Sequence, residues 1–216
     1  MSFLSELKSQ AAQLQKQQTG THHNSVANTL SCEQACRNLR QYLQDLGTQL
    51  NVIHPPAVGH YSLDGKAKFA AMVLKNFRSD ARKKMLRNAE VFDSLGMGWE
   101  LVPADGAVTL HSVTVNFPPD LERVTQRLAT GQIQHERKDI RHPETQKLLA
   151  YVFEYQMHSR GSILVTPDHD KGLIAFRITN VGGFELLTTT YPAAEVTQGL
   201  MDELAKKLVG QASLFA

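Results

Sequence analysis

Apolar residues in the first fifty positions recur at helical spacing. Leu4, Leu7, Ala11 and Leu14 line one stripe, and Cys36, Leu39, Leu43, Leu46 and Leu50 line a longer one. Between them QQTGTHHNSVANT is nearly free of large apolar groups, so the pattern predicts two amphipathic helices joined by a polar linker over residues 17–29. The second helix is expected to start at SCEQ. There Ser31 can cap the amide of Gln34, the Gln34 side chain can reach back, and Leu30 and Ala35 form a hydrophobic staple. Pro55-Pro56 ends it, because neither proline offers an amide and each disfavours a helical predecessor. Residues 1–54 therefore read as a helical appendage and residues 55–216 as the body.

In the body the period shortens. LGMGWELV and VTLHSVTVNF are β-rich runs on either side of PADGA, where Asp105-Gly106 predicts a tight hairpin. PPDLERVTQRLATG predicts a short helix with prolines at its start, Leu121, Val124 and Leu128 on one face, and Gly131 as its stop. The polar tract QHERKDIRHPETQ reads as a loop. LAYVFEYQM then alternates cleanly, with Tyr151, Phe153, Tyr155 and Met157 on one side and Val152, Glu154, Gln156 and His158 on the other. SILVT and LIAFRIT flank the turn PDHDKG, and FELLTTTY follows NVGG, which predicts a meander of four consecutive strands. Val196, Leu200, Leu204 and Leu208, with Lys206 and Lys207 near the end, predict a C-terminal helix over residues 193–210. The fold class expected is α+β: an antiparallel β-sheet with helices packed on one face, preceded by an N-terminal pair of amphipathic helices.

One segment resists a single reading. KNFRSDARKKMLR, residues 75–87, fits a helix through Phe69, Val73, Phe77, Ala81 and Met85, except that Lys84 lands in the apolar stripe. It fits equally a strand from Lys66 that turns near Ser79-Asp80. Its basic groups, Lys75, Arg78, Arg82, Lys83, Lys84 and Arg87, are the candidate nucleic-acid contacts. Only Phe77 is interleaved to stack on a base, and Asp80, Glu90 and Asp93 are at hand to pair with the charges. A solvated face is therefore the favoured reading over nucleic-acid binding.

Composition narrows the function without naming it. The 216 residues are 42% apolar, enough to fill a core, and a net charge of +2 is too balanced for a dedicated nucleic-acid binder. The N-terminus lacks a signal-peptide pattern and the longest apolar run, residues 69–74, is six residues, so a cytoplasmic protein without a membrane span is expected. Cys32 and Cys36, four apart, suit small apolar core positions better than a zinc site with His22 and His23. Asp168-His169-Asp170 before Gly172 reads as turn chemistry rather than a metal site. Neither a metal nor a cofactor is expected. No nucleophile elbow, phosphate loop or zinc-protease signature appears, and Gly96-Met97-Gly98 is followed by strand-like residues, not by the helix a phosphate cradle needs. No catalytic residue is assigned.

On the polar side of the sheet Glu154, His158 and Arg177 are the candidates for gripping a polar ligand. The leading expectation is a non-enzymatic interaction protein, homo-oligomeric or bound to a protein partner through its N-terminal helices. The alternatives are a small-ligand module or enzyme using the polar sheet face, and nucleic-acid binding through residues 66–87.

Overall fold

The computed structural model describes residues 3–107 and 109–215, with side-chain surroundings from residue 25 onward. One uninterrupted helix, α1 (Phe3–Ile53), replaces the expected pair. Residues 17–29 contain no proline and a single glycine, Gly20, so nothing in them forbids a helix. Tertiary partners then hold its polar side chains. Asn28 Nδ2 donates to Asp170 O at 2.7 Å, and Thr29 Oγ1 donates back to Ser25 O at 2.8 Å. Ser31 consequently lies inside the helix and caps nothing. The stop is where the prolines put it: His54 takes a left-handed φ of 47° and donates its amide to Leu50 O. The stripe Leu4, Leu7, Ala11 and Leu14 lies outside the described side chains.

Two antiparallel sheets follow. The larger has the order β1-β2-β6-β7-β8, built from β1 (Met72–Leu86), β2 (Ala89–Pro103), β6 (Ser159–Asp168), β7 (Leu173–Thr179) and β8 (Leu186–Pro192). The smaller has the order β3-β5-β4, from β3 (Leu110–Val115), β4 (His135–Arg141) and β5 (Leu148–Gln156). Helix α2 (Pro118–Thr130) connects β3 to β4 and buries Val124 and Leu128, stopping at Gly131. A single 3-10 turn (Ala193–Glu195) precedes α3 (Gln198–Leu208), so the C-terminal helix begins later than its apolar spacing suggested. Among the described residues no helix is long and apolar enough to cross a membrane. The chain is mixed α+β.

Several expectations are corrected here. The basic segment forms most of β1, a strand, and it turns at Arg87-Asn88, not at Ser79-Asp80. Both turn residues have positive φ, 49° and 64°, the two-residue hairpin whose twist matches its strands. The Asp105-Gly106 turn exists, with Gly106 at φ 70°, yet it joins strands of different sheets, since β2 pairs with β6 and β3 with β5. The meander is three strands, β6-β7-β8, because β5 belongs to the smaller sheet. The expected loop over residues 134–146 holds β4, an edge strand exposed at every residue, where no buried face imposes an apolar alternation.

Helix α1 is no appendage from residue 32 on. Cys32, Ala35, Cys36, Leu39, Leu43 and Leu50 are buried in one core with Leu95, Met97, Trp99, Ile163, Ile174, Phe176 and Leu204. The leucine stripe expected to need a partner is covered by the chain's own large sheet. Phe215 closes the far end, its ring 5.4 Å from Phe176 and 5.5 Å from Tyr191.

Two polar side chains set the register of α1 on that sheet. The β1–β2 pairing slips between Lys75 and Arg78 and again between Arg82 and Lys83. Each slip strands backbone groups that must find partners. At the first, Asn51 acts as a substitute strand: its Nδ2 donates to Phe77 O (2.9 Å) and its Oδ1 accepts from Phe77 N (2.8 Å). At the second, Glu33 Oε1 accepts from Phe92 N (2.7 Å) while His169 Nε2 donates to Phe92 O (2.8 Å). Asn51→Ala would leave both Phe77 groups unsatisfied in a half-buried site, at a cost of about 2 kcal/mol. Asn51→Asp, which keeps the acceptor, is expected to lose roughly half as much. Urea unfolding midpoints of the three chains check this.

Candidate functional site

The face of the large sheet away from α1 and α3 carries the most chemistry. Alternation in β2 sends Leu95, Met97, Trp99 and Leu101 into the core and leaves Ser94, Gly96, Gly98 and Glu100 on the open face. The neighbours in register are Asp80 beside Gly96 and Arg78 beside Gly98 on β1, with Leu164 and Ser162 on β6. Two glycines on one face remove the side chains that would fill the middle of the sheet. The result is a trough with a backbone floor. One hollow, about 570 Å³, is bounded by Asp80, Arg82, Ser94, Leu164 and Thr166. A second, about 340 Å³, is bounded by Asn76, Arg78, Glu100, Gln132 and Arg160, and the two share Gly98 and Ser162.

Four guanidinium groups border this face: Arg78 and Arg82 on β1, Arg160 on β6, and Arg177, which sits in register between Leu164 and Thr188. Among the described residues none of the four is in an ion pair. Of the carboxylates, Asp93 is taken by Lys84 (2.9 Å). Glu100 accepts from Asn76 Nδ2 (2.7 Å) and lies 3.7 Å from His158 Nε2. Asp80 places its carboxylate over Gly96, in the space a β-carbon would otherwise take. At the far wall the Ser162 and Thr179 hydroxyls bond each other at 2.8 Å. The aromatic rings of this region, Phe77 and Trp99, stack on each other at 5.8 Å on the opposite, buried side.

The candidates from the sequence divide accordingly. Arg177 is on the trough face and His158 reaches its end through Glu100, whereas Glu154 lies in the smaller sheet, its Oε2 accepting from Lys138 Nζ at 2.6 Å. That bond raises the Lys138 pKa above the usual lysine value. The split of β5 from β6 is what separates Glu154 from Arg177, and no bond among the described residues joins them. Of the basic run, Arg78 and Arg82 face the trough. Lys83 pairs with Glu90 (2.6 Å), Lys84 with Asp93, and Arg87 with Asp170 and Thr29, while Lys75 is half-buried in register with Glu100. Half of the run, Lys83, Lys84 and Arg87, is thus spent holding the hairpin and the helix in place.

Arg160, Asp80 and the two glycines were not singled out as site residues by the sequence. The available signal was the spacing of Gly96 and Gly98: two apart in a strand means one face.

The remaining polar clusters are structural. Asp168 Oδ1 accepts from the amides of Asp170 and Lys171, and the Lys171 amide is the main cause that holds this carboxyl below its ordinary pKa. Burial pushes the Cys32 thiol up to about 11 and the Cys36 thiol to about 12, so both stay protonated and unreactive near neutrality. Cys32 lies against the Asp168 and Leu173 carbonyls. No cluster of three or more metal-ligating side chains occurs among the described residues. No family model matches the chain, and neither a curated protein nor a solved structure matches it.

Proposed function

We propose that this protein is a binding module whose open sheet face holds an extended anion bearing two or more carboxylate, phosphate or sulfate groups. The observation that carries the proposal is a set of four arginines on this face that have no acidic partner among the described residues: Arg78, Arg82 and Arg160 line the glycine-floored trough, and Arg177 stands one strand beyond it. Unpaired guanidinium groups in a fork geometry are the strongest side-chain binders of oxyanions. The glycine floor lets an extended chain approach the sheet closely. Binding is favoured over bond-making because the trough is open to water, and electrostatic catalysis gains most where water is excluded. Single-stranded nucleic acid is less well served, since among the described residues the open face offers no ring for a base to stack on.

Tripolyphosphate and poly-glutamate are the probes, titrated calorimetrically at low and moderate salt. Each arginine removed, Arg78→Ala or Arg177→Ala, is expected to weaken binding about tenfold, roughly 1.4 kcal/mol. Raising ionic strength should weaken it further. Arg123→Ala, on α2, is the control and should change nothing. Gly98→Val tests the floor independently: a β-carbon there meets only Gly161 O at 3.8 Å, so the fold tolerates it while the side chain fills the trough. Binding that survives Gly98→Val and the arginine changes, or no binding of either probe at low salt, disproves the proposal.

A further inference from the structure

We infer that β8 is the interface through which two copies of this chain pair, edge to edge and antiparallel, into one continuous sheet. The large sheet has two edges, and they are built differently. β1 is broken by two register slips and carries Arg78, Arg82, Lys83 and Lys84, devices that discourage another strand from docking. β8, LLTTTYP, has no charged residue, no slip in its pairing with β7 and β-favouring threonines at its centre. Among the described residues no backbone or side-chain hydrogen bond from outside the sheet reaches residues 186–190. Leu186, 51% exposed, stands at its start.

The other candidate edges are weaker. β4, HERKDIR, is charged along its length, and β3 is a six-residue strand against which α2 packs. A strand without charge, able to face its own sequence, specifies a second copy as partner. Paired about Thr189, Thr188 of one copy lies opposite Thr190 of the other, and cross-strand threonine pairs are favourable. A two-fold axis through such a junction is perpendicular to the sheet. Both open faces therefore fall on the same side, giving ten strands with the two sets of arginines on one surface. This inference is independent of what the trough binds.

Sedimentation velocity on the full chain across a dilution series tests it, with circular dichroism as the folding control. The unmodified chain is expected to be a dimer. T188K/T190K places lysine opposite lysine twice and should give a folded monomer. T188E/T190K places glutamate opposite lysine twice and should remain dimeric. Should T188K/T190K fail to fold, T188E/T190E makes the same like-charge test, with one of its new carboxylates beside Arg177 in the β7–β8 register. A monomeric unmodified chain, a like-charge variant that stays dimeric, or loss of the dimer in T188E/T190K each overturns the inference.

Discussion

Leu39→Ala is expected to lower the unfolding free energy by about 3–4 kcal/mol, a large share of the roughly 5–15 kcal/mol typical of a domain. Leu39 is fully buried at the middle of the stretch where α1 crosses the large sheet, within the core that also holds Leu43, Leu95 and Ile174. Removing its isopropyl group forfeits the transfer free energy and leaves a cavity that packed strands on one side and a helix on the other cannot close. The control is Leu30→Ala, on the same helix but 65% exposed, which should change stability by no more than about 0.5 kcal/mol. Urea denaturation with an unchanged slope and a shifted midpoint is the expected readout. If residues 1–54 stood apart from the body, Leu39→Ala would instead alter association and leave the midpoint where it was. The pair therefore measures whether α1 belongs to the core.

Gly161→Ala should cost about 3 kcal/mol, the upper end of ordinary overpacking. A β-carbon at residue 161 would enter the indole of Trp99, its partner across the β2–β6 pairing. The ring has nowhere to go: it is buried, stacked on Phe77, and backed by the core beneath α1. Gly161 is thus required by close approach, not by backbone angle. The diagnostic is a double-mutant cycle. In a Trp99→Leu chain, which loses much stability by itself, adding Gly161→Ala should cost under about 1 kcal/mol, a coupling of roughly 2 kcal/mol. Additive costs would show that the clash is relieved some other way. Because Gly161 faces the core while Gly98, its diagonal neighbour, faces the trough, the two glycines separate stability from binding.

The two sides of β2 explain how much could be read without the fold. Leu95, Met97, Trp99 and Leu101 announce a strand with one apolar face, and the same alternation implies a second face of Gly96, Gly98 and Glu100. The missing knowledge was what lay beside them. Arg78 and Arg160 are separated from Gly98 by very different lengths of chain, and only strand pairing brings all three to one trough. Glu154 and Arg177 illustrate the opposite error. They look like neighbours across a meander, but β5 leaves that sheet, and no local feature of LAYVFEYQM records which strand it will pair with. The basic run, read as a solvated face with Glu90 and Asp93 at hand, does find those two carboxylates, while its third partner, Asp170, is supplied by a distant turn that the local sequence does not announce.

What the amino-acid order determined by itself was local. Apolar periodicity marked α2, α3 and the strands β5 to β8, the Pro55-Pro56 pair marked where α1 ends, and alternation told which side of strands such as β2 and β5 meets the core. What only the tertiary structure decided was the rest. It made α1 continuous through polar residues, placed its leucines beneath the chain's own sheet, moved three strands into a second sheet, and gathered Arg78, Arg82 and Arg160 around two glycines. The reason is physical: backbone propensity and period act over a few residues, while burial, strand pairing and charge compensation depend on groups that sequence separation does not bring together.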